Sequence, residues 1–453
     1  MTYLGNNPTT QSFTSGTDYF SGTGSQTAFT LTRTVNSVND IEVVINNVVQ
    51  QPSTAYTLSG TTITFTSAPS SGTNNIYVRY LATNMQSFTV PANSITRSQL
   101  DSNLQAGFQG RNKIINGSMV IAQRNTGSTS VQTSTTYASC DRWASYATQN
   151  SKYTVQQSST APAGFNNSLL ATSSAATSLG ANDYYLFAQP IEGYNFADLG
   201  FGTSSAKTIT ISFWVQSSLT GTFGGCLQNY ASTRSYPFTY TISAANTWEQ
   251  KSVTITGDTA GTWVGATNAG AAYLYFGFGI GTTYSGTAGA WAGANYIGAS
   301  GCVNVMGTSG ATFYITGVQL EEGTTATSFE REAYSVTLQK CQRYYQGLSY
   351  VNNAIITVGN AYSTTAAQCT IYLLQQMRTI PSITLPAAGS SSGQVTFLTG
   401  TASYPGTIGS NSVIYPGTIS FSINGSGYTG LSSGGTSQFY STGTNTIAVS
   451  AEL

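Results

Sequence analysis

Two kinds of side chain in this sequence can do chemistry, and a third kind is missing. The missing kind is histidine, of which the 453 residues contain none. That excludes Ser-His-Asp and Cys-His nucleophilic catalysis, histidine-ligated zinc or haem, and imidazole acid–base work near neutral pH. The acids leave one chemistry open, glycoside hydrolysis, which needs only two carboxyl groups set roughly 5–10 Å apart across a sugar. In the middle and last regions the candidates are Asp141, Asp183, Glu192, Asp198, Glu249, Asp258, Glu321, Glu322, Glu330, Glu332 and Glu452. Several stand in predicted turns or next to a basic residue, Asp141 by Arg142 and Glu330 by Arg331, which suits turn formation and ion pairing better than catalysis. Glu321 and Glu322 are adjacent, and neighbours on a strand point to opposite faces. No catalytic residue is assigned, and the expectation is a protein that is not an enzyme.

The second kind is aromatic. With 29 tyrosines and 5 tryptophans among abundant asparagine and threonine, the chain is rich in the groups that bind neutral sugars: rings lie on C–H faces and amides bond to hydroxyls. Rings also fill β cores and subunit contacts, and Trp143, Trp214 and Trp248, in strand-like surroundings, are expected in the core. Tyr404 and Tyr415 precede prolines in Tyr-Pro-Gly turns, and Tyr428 and Tyr440 stand near glycine-rich turns. Binding residues concentrate on loops, so these four are the expected receptor- or glycan-binding residues.

Cys140, Cys226, Cys302, Cys341 and Cys369 are odd in number and widely spread, with no C-x-x-C pair. They are expected to be buried or idle thiols of a chain folded in a reducing cytosol. The Gly257–Thr262 turn offers a cation only Asp258, and no metal or other cofactor is expected. The 15 basic and 15 acidic groups cancel and form no basic run, so neither nucleic acid nor an anionic membrane is an expected partner. MTYLGNNPTT lacks the charged and apolar regions of a secretory signal. No segment nears the roughly 18 apolar residues of a membrane span.

The elements that must position these groups are strands. Short β-branched or aromatic runs, broken by Gly, Ser, Thr and Asn, give an all-β reading. After a flexible leader over 1–17, alternation at Phe29 and Leu31, Ile41, Val43 and Ile45, Ile63 and Phe65, and Ile76, Val78 and Tyr80 predicts a small N-terminal β-sandwich over 18–90. Asn46-Asn47 and Ser59-Gly60 supply its hairpin turns. In 91–110 Ser94 can cap a short helical linker, with Ile95, Leu100, Leu104 and Phe108 near one face. So short a helix is marginal alone and must pack on a neighbour or on copies of itself. From 111 to 335, strands such as TITISFWV and LYFGFGI, and ATFYITGVQLE with Gly317 placed for a bulge, suit a central jelly-roll β-sandwich. The densely charged SFEREAYSVTLQKCQRYYQ marks a boundary, and Val336, Leu338, Tyr344 and Tyr345 can line a short helix or hinge there. A C-terminal β-sandwich tip fills 336–453, where only Arg378 and Glu452 are charged beyond Arg343.

Several stretches resemble bacteriophage tail fibres and receptor-binding tail proteins. DIEVVINNVVQQPSTAYTLSGTTITFTSAPSSGTNNIYVRY, with the leader MTYLGNNP before it and VPANSITRSQLDSNL after it, resembles the N-terminal virion-attachment module of short-tailed phage fibres, including those of cyanobacterial phages. RNKIINGSMVIAQR with CDRW, and ITGVQLEEGTTATSFEREAYSVTLQKCQRYYQ, are similar to the opening and closing strands of a jelly-roll module recurrent in such proteins. Beyond about residue 347 only MRTIPSIT matches. The resemblance implies a homotrimer in the virion, made in the host cytoplasm. It would be attached to other tail or virion proteins by its N-terminal domain and would bind a host-surface glycan through its distal end. On that reading Ile95, Leu100, Leu104 and Phe108 form a trimerisation segment. The alternatives are a glycan depolymerase tailspike working through paired carboxylates, and a virion adaptor or decoration protein with no receptor of its own.

Overall fold

A computed structural model describes residues 16–81 except 36, 110–350 except 126, 128 and 133–135, and beyond these 355–361, 363, 364, 366–384, 395–399, 402–405, 407, 408, 420–426, 433, 434, 436–441 and 445–453. The chain divides into two compact units, Met1–Thr96 and Arg97–Leu453. The expected leader lies outside the described residues up to position 15, and the first strand already begins at Thr17. Ile95, Leu100, Leu104 and Phe108 of the expected helical linker also lie outside them.

The first unit has strands β1 (Thr17–Gly22), β2 (Ala28–Thr30), β3 (Ile41–Ile45), β4 (Val48–Val49), β5 (Tyr56–Ser59), β6 (Thr62–Phe65) and β7 (Gly72–Tyr80). They form two antiparallel sheets, ordered β1-β7-β3-β4 and β2-β6-β5. The period of two turns Val43, Ile63, Phe65, Ile76 and Val78 into one core with Phe29 and Tyr56. Asn46 and Asn47 join β3 to β4 with φ of 49° and 65°, the paired positive values of a tight hairpin turn. In the second turn it is Gly60, at 61°, that enters that region.

The jelly roll holds β8 (Ser130–Val131), β9 (Ala144–Ala147), β10 (Tyr153–Ser158), β11 (Ser168–Ser173), β12 (Tyr184–Glu192), β13 (Ile209–Ser217), β14 (Gly221–Asn229), β15 (Ser235–Ile242), β16 (Glu249–Ile255), β17 (Gly270–Ile280), β18 (Ser285–Gly286), β19 (Gly298–Ala299) and β20 (Thr312–Glu322). A six-stranded sheet, β16-β13-β20-β11-β10-β8, faces a five-stranded one, β15-β14-β17-β12-β9. Between them lie Ile211, Phe213 and Val215 from the first and Leu274, Phe276 and Phe278 from the second. Phe213 meets Phe276 edge to face at 4.9 Å, a favoured aromatic geometry. Gly317 has φ +60°, and the β13–β20 register shifts between Ser212 and Trp214 opposite it, the bulge read from the sequence.

Trp143 is core as expected, but Trp214 and Trp248 are only partly buried. Trp214 alternates with the inward Phe213 and Val215, so its ring stands on the outer face of the six-stranded sheet. Trp248 precedes β16 and meets Tyr314 of that sheet edge-on at 6.0 Å.

Position 336 lies in a helix, Tyr334–Gln342, and the jelly roll and the C-terminal strands both belong to the Arg97–Leu453 unit. Strands β21 (Tyr345–Tyr350), β22 (Ile355–Ala361), β23 (Ala366–Tyr372), β24 (Ser382–Thr384), β25 (Val395–Thr399), β26 (Ala402–Pro405), β27 (Thr407–Ile408), β28 (Ser420–Ser426), β29 (Thr436–Ser441) and β30 (Asn445–Ser450) make two sheets, ordered β21-β30-β24 and β26-β25-β29-β22-β23-β28-β27. Val336 is exposed on the helix, whereas Tyr344 and Tyr345, just past its end, are buried. Those two rings receive Arg142 and Arg124 of the jelly roll, each with its guanidinium carbon 3.6 Å from the ring centroid.

Candidate functional site

The inward residues of β17 are large, and so are two of its outward ones. Leu274, Phe276 and Phe278 enter the core, while Tyr273 and Tyr275 project from the opposite side of the sheet. Register places Gln228 and Cys226 of β14 beside Tyr273 and Tyr275, and Pro190 and Ala188 of β12 on their other flank. Tyr146 of β9 lies next to Leu186 in the same layer.

These tyrosines form a row. Tyr230 stacks on Tyr273 with centroids 4.8 Å apart and planes 13° off parallel, and Tyr273 stacks on Tyr275 at 5.3 Å and 17°. Tyr146 closes on Tyr275 at 6.5 Å and 84°. At another margin Tyr184 meets Tyr284 edge to face at 5.4 Å, and Ile297, Leu186 and Ile280 pack beneath them. Tyr146, Tyr184, Tyr230, Tyr273 and Tyr284 are all partly exposed, and Tyr275 is 6% exposed.

Gly270 makes the close packing possible. A Cβ there would stand 2.2 Å from the Tyr230 ring. The Tyr230 backbone is tied at the same level, its N–H donating to the Ala271 carbonyl at 2.9 Å. Gln228, fully buried, receives the Tyr275 hydroxyl at 3.3 Å and donates to Asn295 at 2.8 Å and to the Tyr296 carbonyl at 3.0 Å.

Because Tyr230, Tyr273 and Tyr275 spend their faces on one another, the row offers ring edges and phenol hydroxyls, braced from below by the buried Gln228 amide. Tyr146, Tyr184, Leu186, Ala188, Gln228, Tyr273 and Tyr275 carry no formal charge. Burial, and then the neighbouring Tyr230 and Tyr184, push the Tyr146 phenol up to about 12. Burial also raises the Tyr273 and Tyr275 phenols, so all three stay protonated. A neutral bed of rings edged with hydrogen-bonding groups suits a neutral, hydroxyl-rich ligand. It is a face rather than a pit, and two concavities lie elsewhere, along residues 112–120 and around the Tyr334–Gln342 helix.

The four tyrosines nominated from sequence are not brought together in this row. Tyr404 and Tyr440 fall in strands β26 and β29 rather than in loops, and Tyr415 and Tyr428 lie outside the described residues. AAYLYFGFGI signals only the Tyr273 and Tyr275 part of the row: a strand with rings on both parities has a second face to account for.

Each acid considered for paired-carboxylate chemistry is engaged. Arg111 pairs with Glu321 at 3.2 Å, Lys113 with Asp198 at 2.6 Å, Lys207 with Glu322 at 2.9 Å, Arg234 with Asp258 at 2.6 Å, Lys251 with Glu249 at 2.5 Å and Arg343 with Glu192 at 2.6 Å. Lys340 holds Glu332, Arg142 holds Glu452, and Asp141 pairs with Arg124 at 3.7 Å rather than with its neighbour. Glu330 accepts the Gly110 and Asn112 N–H groups at 2.7 and 2.6 Å, and Asp183 accepts from the Gly180 N–H, Thr148 and Gln149. Glu321 is buried and Glu322 exposed, the opposite faces expected of strand neighbours. Among the cysteines, Cys140, Cys226 and Cys341 are buried free thiols and Cys302 is partly buried.

No protein-family model and no curated protein matches the sequence. Solved structures similar to this chain include the enzymatically active domain of bacteriophage CBA120 tailspike protein 4, at 12% identity and a TM-score of 0.25 over 47% of this chain. The chain spans 22% of that tailspike domain. A CBM4 domain is similar at 14% identity and a TM-score of 0.24, over 46% of this chain and 98% of its own. A family 11 carbohydrate-binding module from Clostridium thermocellum, solved with a mixed-linked tetrasaccharide, is similar at 12% and 0.24, over 45% and 99%.

Proposed function

We propose that this chain is a glycan-binding protein of the phage tail-fibre kind, and that the tyrosine row of its jelly roll holds a neutral sugar chain. The observation that carries the reading is the row itself: partly exposed Tyr230, Tyr273 and Tyr146 stacked on and closed against the buried Tyr275, uncharged and on one sheet face. The row supports a neutral sugar through ring edges that can meet C–H groups and phenol hydroxyls that can bond to sugar hydroxyls. The reading has no catalytic step, which is supported by the commitment of each candidate acid to an ion pair or a backbone N–H. In this proposal the Met1–Thr96 unit attaches to other virion proteins, residues 336–453 form the distal end, and three copies assemble. Several weak sugar contacts would then act together through effective concentration.

The test is binding of the full-length protein to a printed panel of neutral oligosaccharides, with Tyr273→Ala beside the parent and released reducing sugar assayed on the same glycans. Retention of at least one neutral glycan by the parent, lost tenfold or more in Tyr273→Ala and without sugar release, is expected. Binding that Tyr273→Ala leaves unchanged would remove the site from this face. Sugar release would make the protein a depolymerase.

A further inference from the structure

A groove of about 540 Å³ runs between the jelly roll and the Tyr334–Gln342 helix, and its chemistry is the opposite of the tyrosine row's. Lys113, Lys340 and Arg343 line it against Glu192 and Asp198. A chain with 15 cations and 15 acids thus gathers three cations and two acids in one concavity.

The ion pairs there differ in kind. Arg343 is held by Glu192 through two hydrogen bonds of 2.6 and 3.0 Å, with Glu192 only 1% exposed. Tyr344 donates to the same carboxylate. That pair is closed. Lys113 instead meets Asp198 through a single contact of 2.6 Å, with the lysine 12% exposed and the aspartate 56% exposed. An exposed carboxylate held by one contact to a largely covered lysine is a replaceable partner, since the carboxylate regains water when it leaves and such a pair is held weakly.

Beside Asp198 on the same turn stands Tyr194, 62% exposed. Its presentation is rigid: the Tyr194 N–H donates to the Thr267 carbonyl at 2.9 Å, and Phe196 stacks on Trp263 at 5.5 Å and 12°. Gly193 passes so close to the Gly265 carbonyl that a Cβ would sit 2.3 Å from it. An exposed ring next to a replaceable carboxylate on a largely covered lysine matches a sugar that bears a carboxylate of its own.

We propose that this groove binds an acidic saccharide of the uronic-acid class, its carboxylate displacing Asp198 from Lys113 and its ring resting on Tyr194. The site is separate from the tyrosine row and does not depend on it.

The experiment titrates the full-length protein with cellobiouronic acid and, as the neutral match, cellobiose, following binding by calorimetry at low and high salt. The acid is expected to bind at least tenfold more tightly than cellobiose, and to weaken as salt rises. Lys113→Met should lower its affinity tenfold or more, and Tyr194→Ala several-fold. Asp198→Asn, by removing the competitor, should raise it several-fold, a gain that misfolding does not produce. Tyr273→Ala should leave it unchanged. Equal affinity for the two sugars, indifference to Lys113→Met, or no gain in Asp198→Asn would each overturn the proposal. Loss in Tyr273→Ala would move the acid to the other face.

Discussion

Arg142 and Glu452, 310 residues apart in sequence, form an ion pair in which the side chains are 1% and 7% exposed. Arg142 also donates to the Pro190 carbonyl at 2.7 Å, and Arg124 reaches the same glutamate at 3.1 Å. The one acid beyond Arg343 is therefore spent on joining the last residues to the jelly roll. Arg378 strengthens the join by donating to the Asn268 carbonyl of the jelly roll at 2.6 Å and to the Ala451 and Glu452 carbonyls at 2.9 and 3.0 Å.

Removing one member of a buried pair leaves the other uncompensated and costs about 3–5 kcal/mol. Glu452→Gln should therefore lower the urea midpoint of the Arg97–Leu453 unit. Tryptophan fluorescence reports it, because all 5 tryptophans lie in the jelly roll. The double variant Arg142→Met with Glu452→Leu should recover much of the loss. An unchanged midpoint in Glu452→Gln would show that the pair does not hold the two parts together.

Sugar binding at the tyrosine row should ignore both pH and salt. Burial raises the phenols of Tyr146, Tyr273 and Tyr275, so their protons leave only in strong alkali, near 12 for Tyr146. The donors are thus present throughout the neutral range, and no charge on the row is there for salt to screen. Affinity for a neutral glycan, measured by calorimetry, should be constant from about pH 5 to 9, well below the ordinary tyrosine range. A fall within that window would mean that a titrating group outside the row takes part.

Gly270→Ala tests the row without touching a ring. The added Cβ must push the Tyr230 ring aside, and overpacking of this kind costs about 1–3 kcal/mol. Stability should drop modestly while glycan affinity falls as far as it does in Tyr230→Ala. Full affinity in Gly270→Ala would separate Tyr230 from the site.

How much of the molecule is legible in its sequence depends on whether the signal is local. The alternation in TITISFWV and LYFGFGI gave the facing strands, and Gly317 gave the bulge, because side-chain parity and a positive φ are properties of a few neighbouring residues. Trp214 was misplaced by judging a large ring as core when its parity, between Phe213 and Val215, already turned it outward. The tyrosine row needed more than parity. Tyr146, Tyr230 and Tyr273 come from separate strands and a turn, and only the order β14-β17-β12-β9 brings them side by side. The Arg142–Glu452 join was likewise invisible, since nothing local marks a partner 310 residues away.

Asp18 gives the first unit a defined acid limit. Its carboxylate accepts the Thr32 N–H at 2.7 Å, the Thr32 hydroxyl at 2.6 Å and the Tyr80 hydroxyl at 2.5 Å. Burial alone would raise its pKa, but these hydrogen bonds and the Arg33 charge outweigh it and hold the carboxyl below its ordinary value of 3.8. A group whose folded pKa is lowered stabilises fully above the unfolded value, and the contribution is lost as pH falls through the folded one. Protection of the β1 and β7 amides in hydrogen exchange, corrected for intrinsic rates, should therefore be level above about pH 5 and decline below about 4. Asp18→Asn should cost about 1–3 kcal/mol at neutral pH, as expected for hydrogen bonds to a charged acceptor, and should flatten that decline. If the variant kept the parent's acid dependence, another carboxylate would set the limit.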